Sequence, residues 1–179
     1  LLPDQNKLFG IVSAANPRAV HTPAATDITI GQFNLRKLNN DVDDAETKET
    51  VMTASAYSLR LAKTANAICV YAKSPDILGV TQVENMSTLT DLAASVNSRS
   101  GNILFPNACK FDPEYRPYLI RGNGLNGADI GFMVSTAEVR RGVPRVVVLS
   151  HHQLDKSAVF FHPDGRAESL YDQPPLLLR

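Results

Sequence analysis

Tryptophan is absent from this chain, cysteine occurs twice, and neither sign of charge is in excess. Each shortage closes a route. Lys plus Arg equals Asp plus Glu at 18 each, so there is no basic surplus of the kind that marks a nucleic-acid binder and no acidic surplus that marks a solvating tail. Polyanionic substrates stay compatible with that balance without gaining support from it. Cys69 lies in a helical pattern and Cys109 in a polar loop, at a spacing that matches no zinc or redox motif. Two unrelated thiols are the expected state, with a Cys69–Cys109 pair as the alternative. No run reaches the roughly 18 apolar residues that a bilayer span needs, and the first residues lack the charged, apolar and small-residue regions of a signal peptide. A soluble chain without a membrane span is expected.

What is present is ordinary globular composition. At 179 residues with 44% hydrophobic and 20% charged content, the chain can build one domain with a sizeable core. Residues 1–26 hold Pro3, Pro17 and Pro23 without a sustained period and read as a linker or leading arm. From Asp27, the apolar residues Ile28, Ile30 and Phe33 predict a short strand running into Asn34, followed by a polar loop over Leu35–Glu49. Tyr57, Leu61, Ala65, Ile68 and Ala72 recur at spacings of three and four, which predicts an amphipathic helix between Thr50 and Lys73. Pro75 stops it. Asp76–Val83 then reads as a strand covered on both faces, an α/β signature.

Asn85, Ser87 and Thr88 are candidate N-caps for a second helix whose stripe is Leu89, Leu92, Ala93 and Val96. A polar stretch over 98–117 is broken by Gly101, Pro106 and Pro113. Strands are predicted after it at Tyr118–Arg121, Ala128–Ser135, Val143–Leu149 and Ala158–Phe161, in an antiparallel arrangement. The last apolar run, Leu176–Leu178, follows Pro174 and Pro175 as an edge strand, and a domain continuing beyond Arg179 is expected.

Several strings mimic functional motifs. Gly122-Asn123-Gly124-Leu125-Asn126-Gly127 matches the dinucleotide fingerprint, but the β-prone residues Ala128–Val134 follow it where a helix N-terminus would have to bind the pyrophosphate. A tight strand-to-strand turn is expected instead. Asp41, Asp43, Asp44, Glu46 and Glu49 evoke a calcium loop, yet Glu46 takes the place of its glycine and Met52 that of its closing glutamate. His151 and His152 are adjacent and would face opposite ways in a strand, and Ser150 beside them forms no identifiable triad. Catalytic residues therefore stay unassigned.

Asn34 and the Gln82/Glu84 pair stand at strand ends, where open α/β sheets place ligands. In a regular strand Gln82 and Glu84 share a face. Their oxygen-bearing side chains point to a hard divalent cation, with loop ordering and helix capping by Glu84 and Asn85 as the alternative.

At these residues the chain resembles the endonuclease/exonuclease/phosphatase family, the DNase I-like fold, and most of all its bacterial extracellular nuclease-like branch. Phe33-Asn34-Leu35, Pro75-Asp76-Ile77, Thr81-Gln82-Val83-Glu84-Asn85, Gly122-Asn123-Gly124 with Gly127-Ala128-Asp129-Ile130, and Asp172-Gln173-Pro174-Pro175-Leu176 match its motifs in order over 27–179. The resemblance implies the first half of a four-layer α/β/β/α sandwich and metal-dependent phosphodiester hydrolysis. It also implies Mg2+ or another divalent cation held at Asn34, Gln82 and Glu84, substrate contacts from Asn123 and Asp129, and a secreted bacterial protein. Nucleic acid or another phosphodiester is the implied partner, with self-association through an incomplete sheet as a further expectation.

Three positions depart from that pattern. Gln82 stands where relatives carry the metal-binding glutamate, Gly124 where an aspartate is usual, and Gln173 where an arginine is usual. The family's later motifs, a His-bearing strand, a Gly-Asp-x-Asn turn and an Asp-His end, do not occur. An inactive fragment of such an enzyme, or a non-catalytic binding or structural member of the fold, is expected.

Overall fold

The computed structural model describes residues 18–24, 26–44, 48–99, 109, 112–125 and 128–179. The elements that shape the candidate site are β1 (Ile30–Leu38), α1 (Ala54–Val70), β2 (Ile77–Val83), α2 (Met86–Asn97), β3 (Tyr115–Leu119) and β4 (Asp129–Ser135). The four strands form one sheet in the order β1-β2-β4-β3. β1 runs parallel to β2, while β4 is antiparallel to both β2 and β3. The chain is thus mixed α/β. Of the expected leading arm, 1–17 and 25 fall outside the described residues, and 18–24 form neither helix nor strand. Val20 is tied to the end of α1 by its N–H to the Tyr71 carbonyl, 2.8 Å.

Both helices form where the spacing places them. Thr53 caps α1 by accepting the Ala56 N–H, and Asn85 caps α2 by accepting the Thr88 N–H at 2.9 Å. Their stripes pack into the core through Ile68, Leu89, Leu92 and Val96, against Leu38, Leu78, Val80, Val83 and Met133. Between the helices the Tyr57 hydroxyl donates to Asp91 at 2.8 Å. Gly131 of β4 is required by this closeness: a Cβ there would sit 2.6 Å from a Leu89 methyl and 3.0 Å from the Tyr118 carbonyl oxygen.

Several expectations are corrected. β2 is not equally covered on its two faces: Leu78, Val80 and Val83 are buried, whereas Ile77, Gly79 and Thr81 are half-buried. The reason lies in the layering. The helices cover one face, and on the other Ile30, Gln32 and Asn34 of β1 are exposed, Ile30 by 77%. β1 also reaches further than expected, because Leu35 and Leu38 carry on into the core past an irregularity where Arg36 and Lys37 take left-handed backbone angles. Arg60 of α1 holds that irregularity by donating to the carbonyls of Leu35 and Arg36. Cys69 and Cys109 are joined in a buried disulfide, so the expected pair of separate thiols gives way to the alternative.

Beyond β4 the strands are short: β5 (Glu138–Arg140) with β6 (Val143–Pro144), β8 (Val159–Phe161) with β9 (Ala167–Ser169), and β7 (His151–Gln153) with β10 (Leu176–Leu178). Each pair is antiparallel. The strand expected over Val143–Leu149 ends at Pro144; Val146–Val148 join no ladder, and Leu149 instead donates its N–H to the Arg179 carbonyl at 2.7 Å. A proline that cannot donate interrupts the run before it can extend. No helix among the described residues is long and apolar enough to cross a membrane.

Candidate functional site

The motif positions converge on one end of the central sheet. Asn34 is aligned with Thr81, so it lies one residue from Gln82 across the parallel β1–β2 pair. On the other side Val83 is aligned with Asp129. Asp129 in turn accepts the Gly122 N–H at 2.7 Å, and Asn123 and Gly124 both donate their N–H groups to the Asp172 carbonyl at 2.8 and 2.9 Å. Segments that are far apart in sequence, around 34, 82, 123, 129 and 172, are thereby drawn into one patch.

The side chains do not behave as a row of open ligands. Gln82 sits at a bulge, skipped in the pairing of β2 with both neighbours, with φ +62°. A left-handed non-glycine residue costs about 1 kcal/mol or more, and bulges of this kind re-aim a strand end. The bulge also breaks the alternation on which a shared face for Gln82 and Glu84 rested: Val83 and Glu84 are both buried, and Gln82 is half-buried.

Glu84 is 3% exposed. Its Oε2 accepts the Asn40 N–H at 2.6 Å and lies 3.5 Å from the Thr88 hydroxyl. Burial pushes its carboxyl above the usual range, against the Asn40 hydrogen bond, and the nearby Asp44 and Glu49 charges push the same way as burial. Asn34 is exposed, and its Oδ1 accepts the Arg36 N–H at 2.7 Å. The loop-ordering role for Glu84 and the capping role for Asn85 are thus the ones these side chains fill.

Asn123 and Asp129 hold the hairpin together. The Asn123 amide donates to the carbonyls of Lys156 and Tyr171 and to the Ser169 hydroxyl, at 2.8, 3.0 and 2.9 Å. Asp129 is buried, and burial raises its carboxyl pKa, opposed by the Gly122 N–H and by the Arg121 and Lys156 charges. The turn expected to be tight is a longer connection over 120–128, of which 126 and 127 lie outside the described residues. Gly122 is needed in it, since a Cβ would meet the Asp172 carbonyl oxygen at 2.6 Å.

Sequence reasoning missed Asn40, Arg121 and Lys156, and gave Thr88 only a capping role. Asn40 and Thr88 engage Glu84, Arg121 pairs with Asp44 at 3.7 Å, and Lys156 donates to the Arg121 carbonyl at 2.6 Å. Arg121 could have been flagged by its place directly before Gly122. Nothing local marks Asn40 or Lys156.

Oxygen donors suit a hard cation, but this set brings one carboxylate and two amides. The oxygens of Glu84 and Asn34 that accept hydrogen bonds are capped by backbone N–H groups. Among the described residues no group of three or more His, Cys, Asp or Glu side chains is placed to hold a metal ion. As arranged, the residues do not fit a divalent site. A cleft of about 650 Å³ lies at the other end of the sheet, lined by Thr29, Asp76, Ser135 and Arg145 among others. Its Asp76 carboxylate is taken up by Thr29 and by Arg145 at 3.2 Å, and none of the residues expected to bind metal or substrate lines it.

Comparison of the chain with protein-family models, with curated proteins and with solved structures finds no match.

Proposed function

We propose that residues 27–179 carry part of a DNase I-like α/β/β/α domain related to metal-dependent phosphodiester hydrolases, and that this chain engages a phosphodiester without hydrolysing it. The observation behind this reading is the parallel pairing that sets Asn34 of the Phe-Asn-Leu string, just before the irregularity in β1, beside Thr81–Gln82 of the Thr-Gln-Val-Glu-Asn string near the carboxyl end of β2. Convergence of the Gly122–Gly124 and Asp172 strings on the same end supports it. In this reading Gln82 occupies the position of the metal-binding carboxylate, Asn34 and Glu84 flank it, and Asn123 and Asp129 shape the substrate side. Hydrolysis of a phosphodiester needs charge neutralisation and an oriented water. A neutral amide at position 82 supplies a dipole where a full charge is required.

The Cys69–Cys109 disulfide supports a secreted protein, because such bonds persist in oxidising compartments. A second reading, a non-catalytic binding or structural member of the fold that uses no cation, is favoured by the hydrogen bonds that already engage Glu84 and Asn34. The exposed face carrying Ile30 leaves room for self-association in either case. The test is a pair of assays on the 179-residue chain. Single-stranded and duplex DNA and bis(p-nitrophenyl) phosphate are offered with Mg2+, Mn2+ or Ca2+, and binding and turnover are followed separately. Binding without turnover above a Gln82→Ala control is expected. Turnover by the unaltered chain would contradict the proposal, and absence of binding to all three substrates would favour the second reading.

A further inference from the structure

We infer that two copies of this chain pair edge to edge along β1, antiparallel about a two-fold axis at Gln32, so that their sheets become one. This goes beyond the phosphodiester reading and does not depend on it.

The edge is defined by where its main-chain groups point. Ile77 donates its N–H to the Thr29 carbonyl at 3.0 Å, and the Thr29 N–H goes to the Asp76 carboxylate. Main-chain groups alternate sides along a strand, so Gly31 and Phe33 follow Thr29 in facing β2, while Ile30, Gln32 and Asn34 turn their N–H and C=O groups outward. Among the described residues β1 is hydrogen-bonded to β2 alone, and these three residues are exposed. Folded monomers usually guard such a row with charge or proline. Here no charged residue and no proline stands between Asp27 and Arg36, and Ile28 and Ile30 are 57% and 77% exposed.

The charges at the two ends identify the occupant. Asp27 precedes the uncharged stretch, Arg36 and Lys37 follow it, and all three are exposed. Arg36 makes no ion pair among the described residues, and Asp27 takes up only the Ala24 N–H. A two-fold rotation about Gln32 brings Asp27 of each copy towards Arg36 and Lys37 of the other, whereas a parallel neighbour would set like charge beside like. The stretch is thus its own complement. In this register Ile30 meets Asn34 of the second copy and the two Gln32 residues meet each other, exchanging about six main-chain hydrogen bonds. Residues that meet in this way share a face, so the helices of both copies stay on one side of the joined sheet. The left-handed angles at Arg36 and Lys37 end the regular edge and confine the pairing to Ile30–Asn34.

The experiment is analytical ultracentrifugation of the 179-residue chain over a range of concentrations, with amide exchange read residue by residue. A reversible dimer is expected. In it the amides of Ile30, Gln32 and Asn34 should gain protection that dilution removes, while those of Gly31 and Phe33 stay protected throughout. Gln32→Pro deletes an outward N–H and leaves the bonds to β2 intact; it should raise the dimer Kd at least about tenfold. Asp27→Lys, which does not touch the ladder and serves should the proline variant fail to fold, should also weaken the dimer, and adding Arg36→Asp should recover part of the loss. A monomer at every concentration leaves the edge to some other strand and overturns the proposal. So does a dimer in which Ile30, Gln32 and Asn34 gain no protection, or one whose Kd neither variant moves.

Discussion

Cutting the Cys69–Cys109 bond tests the energetics of the fold most directly. The two residues are 40 apart in sequence, and the bond ties α1 to the connection between α2 and β3. Closing a loop of that length in the unfolded chain removes entropy worth about 4 kcal/mol at 25 °C on the chain-entropy account. Since 1 kcal/mol moves the midpoint of a domain this size by about 2–4 °C, replacing both cysteines by alanine should lower Tm by roughly 8–16 °C. The lost sulfurs add a smaller packing term at two buried positions. The assay is thermal and urea unfolding of the oxidised chain and the Cys69→Ala/Cys109→Ala variant, with thiols counted by alkylation under denaturing conditions. Two alkylatable thiols in the unreduced protein, or a loss below about 1 kcal/mol, would refute the reasoning.

Three further outcomes are expected. Glu84 has a raised pKa in the folded state, so the native protein binds its proton more tightly than the unfolded chain does. Its contribution to stability therefore improves as pH falls from neutral through the raised pKa towards the ordinary value of 4.5, then levels off. Urea midpoints of the unaltered chain measured relative to Glu84→Gln should show that trend, and a gap constant from about pH 7 to about pH 4.5 would rule it out. Gly131→Ala should destabilise by about 1–3 kcal/mol, because the added methyl meets Leu89 and the Tyr118 carbonyl; an unchanged urea midpoint would show the contact to be soft. Asn97→Ala should cost about 1–3 kcal/mol, since the Asn97 amide satisfies both the N–H and the carbonyl of Tyr115 at 2.8 and 3.1 Å; equal amide exchange at Tyr115 in variant and parent would contradict this.

The elements that could be read from sequence were those set by local periodicity. The Tyr57–Ile68 and Leu89–Val96 stripes needed only the helical repeat, and Asn85 needed only its place before one. Long-range pairing was the harder matter. The sequence offered Asn34 and Gln82 as residues of two strands without their register, and it gave no sign of the bulge at Gln82, because a bulge is decided by neighbours on both sides of a strand. The same holds for Glu84. Its chemistry suits a metal as well as a backbone amide, and only the position of Asn40, 44 residues away, selects between them. Cys69 and Cys109 carried no spacing signal because their meeting depends on how α1 and α2 pack. Val146–Val148 show the converse error, where intrinsic strand preference found no partner.

Pro117 sits in the middle of β3, aligned with Met133, at the flank of the sheet away from β1. A proline there offers no amide hydrogen to an incoming strand, and it interrupts the ladder such a strand would require. Enlargement of the sheet is therefore directional: an added strand, from this polypeptide or another, would find a template along Ile30–Asn34 and an obstacle at the far margin.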